Sequence, residues 1–234
     1  MSKYIVVTGG TKGIGRALIL KFAENGFNII TCSRKEADLS VLKEEVEKLF
    51  KVQVFIKKAD LSKKEEVNEF ADFVLKITPK VDVLVNNTGV FIPGSIKDEP
   101  EGNLEMMMNT NLFSAYHLTR ALLPVFLPHK KGHIFSISSI AGITAYASGG
   151  SYSITKYAMQ GFTKCLREEL KEEGIKVTAV LPGATFTASW EGVDLPHERF
   201  MKSEDVAESV WSAYSLSDRT VVEEIILRPQ LGDI

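Results

Sequence analysis

The chain has 234 residues, 44% of them hydrophobic and 25% charged, and a formal net charge of −2. This balance fits a soluble globular protein with a sizeable core, and nothing in it favours general binding to nucleic acid or to a membrane. Two distant cysteines offer no metal-type spacing, and the two histidines four apart, His129 and His133, straddle the start of a predicted strand and share no helix face, so no metal is expected and a reduced, cytoplasmic setting fits best.

The first apolar run, YIVVT at 4–8, is far too short for a signal or spanning segment, and it enters a turn, TGGTKGIG, at 8–15. Gly9, Gly13 and Gly15 follow this strand and open a helix predicted over 14–25. Glycines here allow a tight turn and let a pyrophosphate approach the backbone, and the helix start adds free N–H groups and a positive dipole end. Such a turn also serves as a plain strand-to-helix connection. The second strand, 27–33, runs into TCSRKEAD. An acid at this point would suit the ribose of NAD, whereas Ser33 and Arg34 stand there and the first acids, Glu36 and Asp38, come later. Arg34, with Lys12 in the glycine turn, favours the 2′-phosphate of NADP.

Helices are then predicted over 37–50, 63–76, 104–126, 152–173 and 204–216, and strands over 52–57, 81–86, 132–138, 175–181 and 221–227. The strands are mostly continuous Val- and Ile-rich runs, as parallel strands buried on both faces require. The alternation predicts a single doubly wound α/β domain over 1–234: about seven parallel strands, helices on both faces, ligands at the carboxyl ends of the strands. The methionines at 106–108 read as core filler.

One spacing carries chemistry. Tyr152 lies four residues before Lys156, so a helix places both on one face, and none of the other five tyrosines has a lysine at that offset. A cation there would lower the phenol pKa and make it a usable acid near neutral pH. Tyr157 is turned about 100° away around the axis and is expected to pack.

Together these residues resemble the short-chain dehydrogenase/reductase family, whose Rossmann-type fold and NADP(H) cofactor are thereby implied. The TGxxxGxG spacing of Thr8–Gly15 carries the resemblance first and implies cofactor contacts from Gly9, Thr11, Lys12, Gly13, Ile14 and Gly15. At the third strand end, the resemblance assigns Asp60 and Leu61 to the adenine ring, with helix capping as the plain alternative for Asp60. The NNTG at 86–89 departs from the usual NNAG at Thr88 and leaves Asn87 and Gly89 to meet the cofactor. Asn111 would accompany a backbone distortion and a water that leads to the lysine; Asn109 is its structural decoy. Ser139, thirteen residues before Tyr152, completes a catalytic set of Ser139, Tyr152, Lys156 and Asn111, with Ser138 one residue off register. Tyr152 and Lys156 would also contact the cofactor. Pro182, Gly183, Thr185 and Thr187 match the segment that passes under the nicotinamide.

The implied reaction is reduction of a carbonyl to an alcohol. The stretches at 187–194, 202–210 and 217–234 resemble bacterial sepiapterin reductases, which implies a pterin side-chain carbonyl as substrate. Phe91 and Trp190 would line the pocket under a short lid near 187–203, and Glu191, Asp194 and Asp233 are open candidates to anchor a pterin. The rival substrates are 3-oxoacyl groups on an acyl carrier protein and simple diketones; a non-catalytic NADP sensor is the rival of another class. The resemblance also implies a homodimer or homotetramer.

Overall fold

A computed structural model describes residues 2–187 and 195–233; Trp190, Glu191 and Asp194 lie outside the described residues. Among the described residues the strands are β1 (Lys3–Thr8), β2 (Phe27–Ser33), β3 (Val54–Lys58), β4 (Val83–Asn86), β5 (Gly132–Ile137), β6 (Ile175–Pro182) and β7 (Glu224–Leu227). All neighbouring pairs are parallel, in the order β3-β2-β1-β4-β5-β6-β7. β1 is flanked by β2 and β4, so the winding reverses beside it. The crevice outside the ends of β1 and β4 is where sheets of this kind bind ligands.

The helices are α1 (Gly13–Glu24), α2 (Glu36–Leu49), α3 (Lys64–Ile77), α4 (Asn103–Met108), α5 (Ser114–Leu122), α6 (Gly150–Leu170) and α7 (Ser203–Ser215). They cover the sheet on both sides, which explains the largely apolar strands. Val7, Ile29, Val83, Phe135 and Val180 face a core with Phe22 of α1 and Val210 of α7. Their chain neighbours Val6, Ile30, Leu84, Ile134 and the nearby Val177 face a second core with Phe70 of α3, Leu118 of α5 and Leu166 of α6. Successive residues point to opposite faces, and both faces are dry.

Three departures from the predicted elements matter. The helix expected over 104–126 is broken into α4, a π-helical turn at Asn109–Phe113, α5, and two 3₁₀ turns at Leu123–Val125 and Leu127–His129. Pro124 and Pro128 lack the N–H that would continue α5. β5 stops at Ile137, so Ser138 and Ser139 leave the strand instead of ending it. β7 starts at Glu224, not at 221, and its half-exposed residues mark it as an edge. Among the described residues no helix is long and apolar enough to cross a membrane.

Candidate active site

The glycine turn is built by close approach. A Cβ on Gly15 would stand 2.4 Å from the Gly9 carbonyl oxygen and 2.6 Å from Asn87 Nδ2, so α1 reaches the end of β4 only with glycine at this position. Gly13 has φ +53°, and a Cβ there would meet Thr187 Cγ2 at 2.9 Å, which places Thr187 from the end of β6 against the turn. The turn is tied to its neighbours: Gly9 N donates to Cys32 O at 3.1 Å, and Asn87 Nδ2 donates to Thr8 O at 2.8 Å and Gly9 O at 3.1 Å. Thr8 Oγ1 accepts from the backbone N–H groups of Asn87 and Thr88, at 2.9 and 3.0 Å. Thr88 thus takes its place through its backbone, and its hydroxyl faces Gly9. Thr11, Lys12 and Ile14 lie on the same turn; Lys12 is exposed and has no ion-pair partner among the described residues.

At the end of β2, Ser33 Oγ accepts from Lys35 N at 3.2 Å, and Arg34 is exposed with no ion pair among the described residues. Arg34 lies close enough to Asp60 to influence it. Partial burial works against ionisation of Asp60, yet its pKa is lowered because Ser62 donates from both Oγ (2.8 Å) and N (3.1 Å), with Lys63 and Arg34 adding positive charge. Asp60 is not the cap of α3; that position is Lys63, and Asp60 forms a turn with Ser62 before it. The Leu61 side chain is packed in the second core, so only its backbone is left to face a ligand.

Asn111 sits inside the π turn, where the widened backbone carries its side chain inward. Its Oδ1 accepts from Val90 N at 2.7 Å, and its Nδ2 donates to Val90 O at 3.0 Å and Thr155 Oγ1 at 3.0 Å. Thr155 in turn donates to Tyr152 O at 2.8 Å. The asparagine thereby couples the segment after β4 to the helix bearing Tyr152 and Lys156. Gly89 lies between: a Cβ on it would be 3.5 Å from Asn111 Oδ1 and 3.6 Å from Lys156 Nζ. Asn109 is exposed.

Ser139, Tyr152 and Lys156 come together at the ends of β5 and α6. Ser139 Oγ accepts from Ala141 N at 3.1 Å and lies close enough to the Tyr152 phenol to lower its pKa. Ser138, one residue earlier, is turned inward and donates to Lys156 O at 3.3 Å. Lys156 is 4% exposed; its Nζ donates to Ile137 O at 3.0 Å and lies over the Tyr152 ring, 5.5 Å from the centroid. Burial pushes the Lys156 pKa down to about 8. The expected lowering of the Tyr152 pKa does not occur. Burial pushes the phenol up to about 12, against the influence of the Ser139 hydroxyl, which lowers it, and Tyr146 nearby raises it further. The ammonium is aimed at a carbonyl and sits over the ring face, so removal of the phenol from water dominates. Tyr157, expected to pack, is 46% exposed.

Phe91 meets the Tyr152 ring edge-on at 4.9 Å, and Tyr146, folded over Gly149, lies near enough to act on the phenol. Tyr146 and Thr155 were missed in the sequence; Thr155 carried a faint signal, since it lies on the buried face of α6. At the end of β6, Gly183 N donates to Leu227 O at 2.7 Å, Thr185 Oγ1 donates to Gly183 O at 3.1 Å, and Thr185 bridges to Met201. Pro182 is buried in the last position of β6. A cleft of about 690 Å³ lies beside these residues, between Gly13 and Arg16 of α1 and Phe186, His197 and Met201. It opens on the glycine turn and not on Tyr152.

The short chain dehydrogenase family profile matches residues 3–196. The chain belongs to the short-chain dehydrogenase family. Its relatives include the sepiapterin reductase of Chlorobaculum tepidum, 35% identical over 242 residues that span 100% of this chain and 99% of that protein. A diacetyl reductase [(S)-acetoin forming] of Staphylococcus epidermidis is 35% identical over 212 residues, 89% of this chain and 80% of that one. Among solved structures, an alcohol dehydrogenase from the archaeon Thermococcus sibiricus complexed with 5-hydroxy-NADP superposes with a TM-score of 0.93 at 26% identity, covering 100% of this chain and 99% of that chain. A metagenomic short-chain oxidoreductase in complex with NADP gives a TM-score of 0.85 at 28% identity, with 97% of each chain covered. The chain is therefore a short-chain oxidoreductase with the family's parallel Rossmann-type sheet.

Proposed function

We propose that this oxidoreductase reduces small carbonyl compounds with NADPH, a pterin side-chain ketone first among them. The observation that carries the reading is the Ser139 hydroxyl close enough to the Tyr152 phenol to act on it, with Lys156 against the Tyr152 ring, together with a glycine turn that has no room for side chains. The turn fits a dinucleotide: positive-φ Gly9 and Gly13 expose backbone at the start of α1, and Lys12 and Arg34 stand unpaired, among the described residues, to receive a 2′-phosphate. Bound NADPH would supply hydride to the carbonyl carbon. Ser139 Oγ holds the carbonyl oxygen by a hydrogen bond. Tyr152, kept protonated by its burial, gives its proton to that oxygen as negative charge develops there. Lys156, charged below its pKa of about 8, favours release of that proton. Asn111 keeps Val90 and Thr155, and through them the catalytic helix, in place.

The full-length likeness to a sepiapterin reductase supports the pterin substrate, and the diacetyl reductase relative supports a small diketone as second reading. Of the three acids considered as pterin anchors, Asp233 is the one among the described residues; it pairs with Arg228 and lies 3.4 Å from where a Gly183 Cβ would be. Exposed Phe113, Tyr116, Ile154 and Tyr157 around α5 and α6 suit an apolar contact between two copies of the chain.

NADPH oxidation with sepiapterin, diacetyl and an acetoacetyl thioester tests the reading. Sepiapterin is expected to give the highest kcat/KM. Asp233→Asn should raise KM for sepiapterin and leave diacetyl unchanged. Tyr152→Phe should cut turnover by about a hundredfold or more while NADPH still binds. No oxidation with any carbonyl would overturn the reductase in favour of a nucleotide-binding sensor.

A further inference from the structure

The segment after β4, residues 90–102, has been given one functional side chain, Phe91. It is fastened at several points to the first turn of α6. Gly94 N donates to Ser148 O at 3.0 Å, and Gly94 pairs with Gly149 in a parallel bridge. The contact is so close that a Cβ on Gly150 would stand 2.6 Å from Gly94 O. Further along, Ser151 Oγ donates to Glu99 Oε1, and the other carboxylate oxygen of Glu99 is buried with no hydrogen-bond partner among the described residues.

A carboxylate is drawn out of water at a cost and stays there only where its surroundings favour negative charge. Glu99 faces a helix start, where backbone N–H groups have no intrahelical partner and the dipole is positive. That start is weak in itself. The cap is Gly149, with no side-chain hydrogen bond, and Gly150 follows, so no capping side chain of its own stiffens the turn. Glu99 adds a side-chain anchor to the backbone ties that Gly94 of the same segment makes to this turn. The anchored residue, Ser151, is 1% exposed and directly precedes Tyr152. The same segment touches Tyr152 itself through the Phe91 ring.

We propose that Glu99 is a positioning residue: by accepting the Ser151 hydroxyl it fixes the first turn of α6 and so holds the Tyr152 phenol on Ser139. The proposal rests on the reductase reading for its kinetic consequence. Its structural consequence, ordering of residues 149–155, stands apart from any substrate.

Both are read on the full-length protein with Glu99→Ala, Glu99→Gln, Ser151→Ala and the Glu99→Ala/Ser151→Ala pair. Glu99→Ala should lower kcat about tenfold with little change in NADPH affinity, because a displaced reacting group loses rate and the glycine turn is untouched. Amide hydrogen exchange over 149–155 should speed up in the same variant and remain unchanged in β1 and α1. Glu99→Gln keeps an oxygen for Ser151 and should recover most of the rate. Ser151→Ala should match Glu99→Ala, and the pair should be no worse than either single change. Wild-type kcat and wild-type exchange in Glu99→Ala would overturn the proposal, as would additive losses in the pair. Should Glu99→Ala not fold, Ser151→Ala, which removes one hydroxyl, decides alone. If the wild-type protein turns over no carbonyl, the function reading fails while the exchange arm still judges the role of Glu99.

Discussion

Lys156 is buried and Tyr152 half-buried, and their partial loss of water moves them in opposite senses because one is a base and the other an acid. The lysine falls to about 8 and the phenol rises to about 12. The acid is thus always loaded at neutral pH, and the group that titrates in the working range is the lysine. Below about pH 8 its charge favours release of the phenolic proton; above it the charge is gone. Reduction should therefore slow as pH rises through about 8. Following kcat from pH 6 to 10 at saturating NADPH checks this, and Lys156→Met should remove the alkaline limb along with most of the rate. Arg34 offers a second test at this scale. It is exposed, lacks an ion pair among the described residues, and lies near Asp60 at the end of β3. Arg34→Asp should weaken NADPH by about tenfold or more and leave NADH nearly unchanged. Equal effects on the two would remove Arg34 from the 2′-phosphate site.

The glycine turn shows how an element depends on a missing side chain. Gly15→Ala would force a methyl group onto the Gly9 carbonyl and the Asn87 amide, both part of the tie between β1 and β4. Overpacking of this kind costs about 1–3 kcal/mol, and NADPH binding should weaken with it. Gly161 in α6 is the control, since a Cβ there meets nothing within 4 Å and its backbone is helical. Gly161→Ala should stabilise by about 0.5–1 kcal/mol. Urea midpoints and nucleotide titrations of the two variants compare these directly. The turn was legible because its glycines, the preceding Thr8 and the following helix fall in one short window. The π turn at 109–113 was not. Its flanking residues keep ordinary helical dihedrals, φ −62° and ψ −45° at Met108 and φ −55° and ψ −50° at Ser114, so propensity and periodicity run straight through it. Asn111 was found only because the family resemblance marks it. Glu99 and Tyr146 went unnoticed for a related reason: both act across loops whose course no periodic pattern encodes.

At the scale of the molecule, the seven apolar runs foretold the sheet because a strand buried on both faces must be apolar throughout. Their alternation with helices foretold the parallel winding. The strands also bury polar side chains, Thr31, Asn86, Ser136 and Thr178 among them, and one further such residue, His133, gives the sheet an acid-sensitive point. His133, near the start of β5, is 1% exposed and stacks on Phe135 with ring centroids 3.9 Å apart. Its Nε2 lies 2.7 Å from Thr178 Oγ1, which itself donates to Val222 O at 2.5 Å, so Nε2 must carry the proton and Nδ1 is bare. Nδ1 is buried with no hydrogen-bond partner among the described residues, and protonating it would place a charge inside the sheet. Burial, assisted by the Lys176 charge, accordingly pushes the His133 pKa down from 6.5 to about 3. Between those values the unfolded chain binds a proton that the folded chain refuses. The contribution of His133 to stability is thus complete above about pH 6.5 and is lost as pH falls towards 3, at up to about 1.4 kcal/mol per pH unit. His133→Gln can keep a donor for Thr178 but cannot titrate. It should cost some stability at pH 7 through poorer packing, yet lose less than the parent on going from pH 6.5 to 4.5. Urea midpoints of both proteins at pH 7, 5.5 and 4.5 measure the difference; parallel lines would mean that the acid limb belongs to carboxylates elsewhere and not to this histidine.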